Sequence, residues 1–272
     1  MKIFVYGTLL KGMGRSKSLN TSVFEGLGMI KASLYDLGSY PGIIESNESV
    51  YGEVYEIDSD TLFTLDQIEG FDPTYPEQSL YIRKEVDVTL LNDGNSLKAY
   101  TYFYNALDLD PYYKISSGDY RRHLLEVLPT WYIAYGSNMN ADRLANRVGD
   151  IQEVTSGHLE GFELVFNKQG DNGSTYANLK YRGEGYRCPF VAYLINEDQL
   201  EKLDRVEGEP RHYVRLGMPF HKANSNQSQL GHIYIAHPNK LTNVALVDES
   251  YLTAIKQGYV QHGFEADFLN LK

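Results

Sequence analysis

The sequence predicts an α+β protein made of two tandem copies of one unit, each a curved or barrel-like sheet with a few short helices. Three observations predict it. Blocks of sequence recur in the same order in the two halves. Short aromatic and β-branched runs outnumber helical periodicities in each half. A proline, Pro129, sits where the halves meet.

The repeat begins at the N-terminus. Met1 to Gly7 reads MKIFVYG and Thr130 to Gly136 reads TWYIAYG, each followed by a small hydroxyl residue, Thr8 or Ser137. Val54-Tyr55-Glu56-Ile57 is matched by Ala192-Tyr193-Leu194-Ile195. Residues 62–70 and 200–208 share L-x-x-L-D-x-x-E-G without a gap, at an offset of 207 − 69 = 138. Tyr81-Ile82-Arg83 is echoed by Tyr213-Val214-Arg215, and Tyr100-Thr101-Tyr102 by His232-Ile233-Tyr234, both at an offset of 132. Ordered blocks at domain-scale spacing read as a tandem duplication. The proline in Leu128-Pro129-Thr130 ends whatever precedes it, which predicts domains over residues 1–129 and 130–272. Either is long enough to bury its own core.

Each element follows from local chemistry. Residues 2–6 and 132–135 are short, apolar and aromatic, hence strands, as are 51–57 and 190–195. Asp58 can cap a first helix, and Asn196 with Gln199 makes a capping box for its counterpart. Leu62, Leu65, Ile68 and Leu200, Leu203, Val206 recur every three residues, giving a short helix with one buried face. Gly70 and Gly208 suit the left-handed position past its end. Residues 81–91 and 96–104 read as a hairpin around Asn92-Asp93-Gly94-Asn95, with 213–220 and 229–235 as its counterpart. Residues 162–167 and 176–180 add strands, and a helix from 249 or 250 to about 261 closes the second unit.

Composition narrows the function classes. Of the 272 residues, 42% are hydrophobic and 23 are tyrosine, too apolar for a disordered chain and suited to pockets walled by hydroxyl-bearing rings. The net charge is −11, and Arg121-Arg122 is the densest basic spot, so nucleic acid and anionic membranes are not expected partners. Cys188 is the only cysteine, so an internal disulfide is impossible, and it reads as a small buried hydrophobe. The chain opens on a strand, with no signal-peptide pattern and no bilayer-length apolar run, so a cytoplasmic location is expected.

Two features recur where chemistry could sit. One is the strand-loop Tyr6-Gly7-Thr8-Leu9-Leu10 and its partner Tyr135-Gly136-Ser137-Asn138-Met139. A glycine directly after a strand lets backbone approach a ligand, and successive N–H groups there can hold a carboxylate or an oxyanion. The other is Glu69 and Glu207, each ending a helix, where the dipole disfavours an anion. Buried among rings, such a glutamate would exchange protons near neutrality. Asp66 and Asp204, one turn earlier on the same face, read as structural, holding loop backbone groups. Tyr81 and Tyr213 either present hydroxyls to the site or are core tyrosines, and Arg83 and Arg215 face solvent or pair with a carboxylate. No H-E-x-x-H, G-x-S-x-G, phosphate loop or dinucleotide fingerprint occurs, and nothing brings Glu69 and Glu207 together as a glycosidase pair.

These residues resemble a known family. Tyr6-Gly7-Thr8-Leu9, Tyr40-Pro41-Gly42, the L-D-x-x-E-G block, Tyr81-Ile82-Arg83 and Gly118-Asp119-Tyr120-Arg121 are similar to the γ-glutamylamine cyclotransferase and AIG2-like branch of the γ-glutamylcyclotransferase superfamily. Tyr135-Gly136-Ser137-Asn138-Met139 with Leu203-Asp204-Arg205-Val206-Glu207-Gly208 resembles the γ-glutamylcyclotransferase branch proper. The resemblance implies a small mixed β-barrel with flanking short helices in each unit. It implies an enzyme without cofactor or metal, which cyclises the γ-glutamyl group of a small-molecule amine or amino acid conjugate to 5-oxoproline. Glu69 and Glu207 then move the proton, while Tyr6–Leu9 with Tyr81, and Tyr135–Met139 with Tyr213, bind the glutamyl group.

The units also differ. Phe190 stands where the first unit has Gly52 and is expected to narrow the second pocket. The first unit carries Phe71-Asp72-Pro73-Thr74-Tyr75-Pro76, a stiff loop expected to cover its site. Both point to the first unit as the working one. Two rival readings stand beside the enzyme: a module that binds a small acidic metabolite without turnover, and an enzyme that strips γ-glutamyl or isopeptide adducts from larger molecules through an open cleft.

Overall fold

The computed structural model describes residues 1–105, 109, 112–127, 129–151, 153–222 and 227–266, so Leu128 of the expected boundary lies outside the described residues. The chain divides into two compact units, Met1–His123 and Leu124–Lys272. The first runs β1 (Lys2–Val5), β2 (Val23–Asp36), β3 (Pro41–Glu56), α1 (Ser59–Glu69), β4 (Tyr81–Leu90), β5 (Ser96–Tyr104), the two-residue β6 (Tyr113–Lys114) and the short α2 (Tyr120–His123). The second runs β7 (Thr130–Ala134), α3 (Ala141–Val148), β8 (Glu153–Glu160), β9 (Phe162–Gln169), β10 (Thr175–Tyr181), β11 (Arg187–Ile195), α4 (Glu197–Glu207), β12 (Tyr213–His221), β13 (Ser228–Ala236) and α5 (Glu249–Gln261). Among the described residues no helix is long and apolar enough to cross a membrane.

In the first unit the strand order is β3-β1-β5-β4-β2-β6, and β2 also pairs with β3, closing five strands into a barrel. Closure leaves no long unpaired edge. The second unit has a five-stranded sheet in the order β12-β13-β7-β11-β8 and a separate β9–β10 hairpin. The duplication shows in the register. Phe4 faces Val54 across an antiparallel pair, as Ile133 faces Ala192. Ile3 faces Tyr100 across a parallel pair, as Tyr132 faces His232. The first strand of each unit is therefore central. Its residues Ile3, Phe4, Val5 and Trp131, Tyr132, Ile133 are all buried.

The paired helices form for the reasons the sequence supplies. Asp58 accepts the Thr61 amide at 2.7 Å, and Asn196 and Gln199 cap each other reciprocally at 3.0 Å. Gly70 and Gly208 end the helices at φ +64° and +67°. Leu65 and Leu203 are fully buried. The third position of the expected apolar stripe departs from the core in the second unit, whereas Ile68 packs against it in the first. Val206 is 46% exposed, because the helix end turns toward a cavity.

Several elements were hidden from sequence periodicity. Strand β2 is bulged between Phe24 and Gly26 and between Lys31 and Ser33, so its inward and outward positions slip out of alternation. Strand β3 runs through Glu45-Ser46-Asn47-Glu48-Ser49, a stretch with turn-like composition. The short α3 begins at Asn140, whose side chain accepts the Arg143 amide. In the first unit Glu53 and Arg121, both buried, pair at 2.8 Å, and Glu53 also accepts the Lys11 amide at 2.8 Å. This pair ties the loop after β1 to α2. Cys188 is buried in β11, and burial raises its thiol well above the usual range, as befits an inert side chain.

Gly52 and Phe190 differ for a packing reason. A Cβ on Gly52 would lie 2.1 Å from the Val5 carbonyl oxygen and 2.7 Å from the Phe4 ring. In the second unit Phe190 instead packs edge-on against Phe220, with ring centroids 5.5 Å apart. Gly52→Ala is therefore expected to destabilise the chain by about 1–3 kcal/mol, the usual cost of forcing atoms into a full core. Chemical denaturation of the two proteins measures it.

Candidate active site

Each unit hangs its helix-ending glutamate from an aspartate one turn earlier. Asp66 accepts the Tyr102 hydroxyl at 2.8 Å and pairs with Arg83. Asp204 accepts the Tyr234 hydroxyl at 2.7 Å and pairs with Arg215 at 3.0 Å. The sequence predicts structural aspartates with loop backbone partners. The partners are instead side chains of the β4–β5 and β12–β13 hairpins, because this helix face lies against the sheet. The same tyrosines reach the loop after the first strand. The Tyr6 hydroxyl donates to the Tyr102 carbonyl at 2.7 Å, and the Tyr135 hydroxyl to that of Tyr234 at 2.6 Å. One tyrosine thus holds helix end and loop in register.

Tyr81 and Tyr213 line their cavities with their rings, while their hydroxyls donate to the carbonyls of Pro41 and Ala177, both at 2.7 Å. Burial pushes the hydroxyls of Tyr6, Tyr81, Tyr135 and Tyr213 well above the usual range, so they remain neutral donors. The loop glycines are required by close approach. A Cβ on Gly7 would lie 2.6 Å from Pro41 Cγ, and one on Gly136 would lie 2.9 Å from Ala177 Cβ. Each loop then folds back, with Leu10 N bonding Gly7 O and Met139 N bonding Gly136 O, both at 3.0 Å. The Thr8 and Leu9 amides donate to no backbone carbonyl among the described residues outside the regular elements.

The first cavity is small, about 70 Å³, and is lined by Tyr6, Gly7, Thr8, Leu9, Glu69 and Tyr81 together with Arg15, Tyr40 and Pro41. Burial pushes the Glu69 carboxyl up to about 7, against the pull of Arg15. The second cavity is about 630 Å³ and is lined by Tyr135, Gly136, Ser137, Asn138, Glu207 and Tyr213, with Arg143, Arg147 and Lys168 added. Glu207 Oε1 accepts the Asn138 side-chain amide at 3.0 Å and lies 3.5 Å from Arg147 Nη1. Arg147 also donates to Asn138 Oδ1 at 2.6 Å, and Asn138 donates to the Tyr132 hydroxyl at 2.8 Å. Burial raises the Glu207 carboxyl, and the Arg147 charge and the Asn138 hydrogen bond oppose it.

Three expectations are corrected. Met139 has no exposed surface and lies outside the cavity lining; it packs in the core, where its carbonyl accepts the Tyr193 hydroxyl at 2.9 Å. Phe190 does not narrow the second cavity, because its ring points into the core, and that cavity is the larger one. None of residues 71–76 lines the first cavity: Phe71 is buried under the Arg83 guanidinium, 5.0 Å from its ring centre, and the rest of the loop turns outward. The cations went unread in the sequence. Arg143 and Arg147 carried a signal, an i, i+4 pair on a capped helix directly after the loop. Arg15 and Lys168 carried none.

Sequence comparison adds to this geometry. The family described as "Gamma-glutamyl cyclotransferase, AIG2-like" matches residues 3–122 and again 132–253. A Bacillus subtilis protein, "Putative gamma-glutamylcyclotransferase YkqA", is 31% identical over 233 residues, spanning 78% of this chain and 80% of that protein. A crystal structure of YkqA from Bacillus subtilis superposes with a TM-score of 0.76 at 25% identity, covering 98% of this chain and 94% of the other. The "Gamma-L-glutamyl-butirosin B gamma-glutamyl cyclotransferase" of Niallia circulans is 31% identical over 126 residues, 46% of this chain and 78% of that protein.

The raised carboxyl has a stability signature. Glu69 is protonated in the folded protein up to about pH 7 but titrates near its usual value of 4.5 when unfolded. The folded state therefore holds the extra proton between these values, and its stability falls as pH rises through that window. Glu69→Gln removes this loss. The variant is expected to match wild type below pH 4.5 and to exceed it by about 1–3 kcal/mol above pH 7. Denaturant unfolding of both proteins at pH 4 and pH 8 measures the difference.

Proposed function

Since the chain belongs to the gamma-glutamyl cyclotransferase, AIG2-like family, we propose that it converts a γ-glutamyl amine or γ-glutamyl amino acid to 5-oxoproline and the free amine without a cofactor. The observation that carries this reading is the recurrence, in both units, of a half-buried, cavity-lining glutamate beside a Tyr-Gly-Thr/Ser loop, with the carboxyl of each raised.

The chemistry makes three demands. The substrate α-ammonium must lose a proton before its nitrogen can attack its own side-chain carbonyl. A carboxylate that titrates near neutrality suits that task, and Glu69 and Glu207 supply it. The new N–C bond gives a tetrahedral centre with a negative oxygen. Backbone amides of the loop face that charge; those of Thr8 and Leu9 bond no carbonyl among the described residues outside the regular elements. The centre collapses when the bond to the original amide nitrogen breaks. The protonated glutamate gives its proton to that leaving nitrogen as the bond breaks. The ring nitrogen still carries a second proton of the former amine and passes it to the regenerated carboxylate, so that a neutral lactam and the free amine depart. Attack is intramolecular, so a glutamyl chain held folded between the loop and the tyrosine ring supplies much of the acceleration.

The test is 5-oxoproline release from γ-glutamyl amino acids and amines. Wild type is expected to turn over at least one, and the double variant Glu69→Gln/Glu207→Gln to lose at least about 100-fold, the usual worth of a positioned base. In Glu207→Gln, where the first unit works alone, the rate is expected to rise with pH around a midpoint of about 7 as Glu69 loses its proton. Binding of these conjugates without turnover would favour the metabolite-binding module instead.

A further inference from the structure

The loop after β1 is gripped from behind at one residue. Lys11 donates its amide to Glu53 Oε2 at 2.8 Å, and its carbonyl accepts Arg121 Nη1 at 3.2 Å. The same Nη1 lies 2.8 Å from Glu53 Oε1, and the Tyr55 hydroxyl donates to Glu53 Oε2 at 2.8 Å. Glu53 is 2% and Arg121 3% exposed. None of Glu53, Lys11, Tyr55 and Arg121 lines the first cavity. Side chains of β3 and α2 thus close a clamp on the loop from outside the site.

Two buried charges are a costly way to hold a loop. The second unit holds its own loop without them. Val5 stands opposite Glu53 as Ala134 stands opposite Val191, so the matching position there is apolar. The Met139 carbonyl instead accepts the Tyr193 hydroxyl at 2.9 Å and faces His262 Nε2 at 3.1 Å, and Asn140 Nδ2 donates to Gln257 Oε1 at 3.0 Å. Tyr55 and Tyr193 occupy the same register position, opposite Ile3 and Tyr132. Tyr193 reaches its loop directly, whereas Tyr55 reaches its loop through the glutamate.

The clamp fixes the far end of a short span. The near end is Tyr6, whose hydroxyl is tied to the Tyr102 carbonyl at 2.7 Å. Between these anchors Leu10 N bonds Gly7 O at 3.0 Å, and Arg15 N bonds Thr8 O at 2.9 Å. The Thr8 and Leu9 amides lie in this span, and they are the donors the proposed reaction uses at its negative oxygen. Such donors stabilise a developing charge only when they are already in place as it forms. Glu53 and Arg121 each bond both the chain at Lys11 and one another, so neither can shift without breaking a buried charged contact.

We propose that Glu53 and Arg121 are positioning residues of the first unit, clamping Lys11 so that the Thr8 and Leu9 amides stand where the tetrahedral oxygen forms. This rests on the cyclotransferase reading. The oxygen becomes negative only as the transition state is reached, so the clamp acts on kcat and leaves KM nearly unchanged. Proton transfer stays with Glu69.

The experiment uses full-length Glu207→Gln, in which the first unit works alone, and follows 5-oxoproline release from γ-L-glutamylethylamine and γ-L-glutamyl-L-alanine. Glu53→Asp keeps the buried charge pair but withdraws the acceptor from Lys11 by one methylene. It is expected to lower kcat at least about tenfold with KM nearly unchanged, since a misplacement of about 1 Å can cost about 100-fold. Glu53→Gln/Arg121→Met leaves no buried charge unpaired, so it is expected to unfold at a denaturant concentration close to that of its parent while losing kcat at least as severely. Both Arg121 contacts are made by Nη1, so the single nitrogen of Arg121→Lys can rebuild them, and this variant is expected to retain most of kcat. An unchanged kcat in Glu53→Asp, or a loss carried by KM, overturns the inference and leaves the cyclotransferase reading intact. A kcat in Arg121→Lys as low as in the double variant does the same. Turnover by wild type that Glu207→Gln abolishes also overturns it, since the first unit is then not catalytic. Absence of 5-oxoproline from wild type with both substrates sinks the inference and the reading together.

Discussion

The carboxylate of Asp66, repeated in Asp204, is the contact on which each site is built. It faces the sheet from the last turn of a short helix and takes a tyrosine hydroxyl and an arginine from the neighbouring hairpin. The same tyrosine lends its carbonyl to Tyr6 or Tyr135, at the root of the loop. A glutamate three residues after the aspartate must then point the same way, toward that loop. Removing the aspartate would strand a buried hydroxyl and a half-buried guanidinium, which costs more than the hydrogen bonds themselves return. Helix position, loop position and the facing of the glutamate are therefore one constraint.

Around that shared frame the two units have diverged in what lines the cavity. The first is narrow and walled by tyrosine and proline, and its carboxyl is raised mainly by loss of water. The second is about nine times larger and brings three cations near its glutamate. None of the divergent groups takes part in the aspartate–tyrosine frame. The frame conserves geometry between the copies, and the walls are free to differ.

Much of this was legible in the sequence because the frame is local and repeated. The helix caps, the glycine ends and the alternating strands each have a signature within a few residues, and a second copy tells signal from accident. The recurring Glu-Gly end pointed to a disfavoured anion, and the structure places both glutamates against cavities. What stayed hidden is non-local. Lys168 reaches the second cavity because β9 sets it opposite Tyr176 in its own hairpin and against Tyr213, 213 − 168 = 45 residues on. Met139 and Phe190 look like pocket residues by position, yet packing turns both into the core. Strand β2 and the first part of β3 escaped because bulges and polar stretches break the alternation that identifies a strand.

The hydrogen bond between Asn138 and Glu207 divides the labour between the two carboxylate oxygens. Oε1 is occupied by Asn138 and faces Arg147, while Oε2 has no partner among the described residues. Among the described residues no side chain bonds either oxygen of Glu69, which lines its cavity. Under the proposed reaction, a proton that Glu207 takes from one nitrogen and returns to another arrives at and departs from Oε2, so the two nitrogens must pass in turn before that oxygen. In the first unit the same proposal leaves both carboxyl oxygens open to them. Two copies of one fold would thus run the proposed relay differently, one through a single oxygen and the other through either.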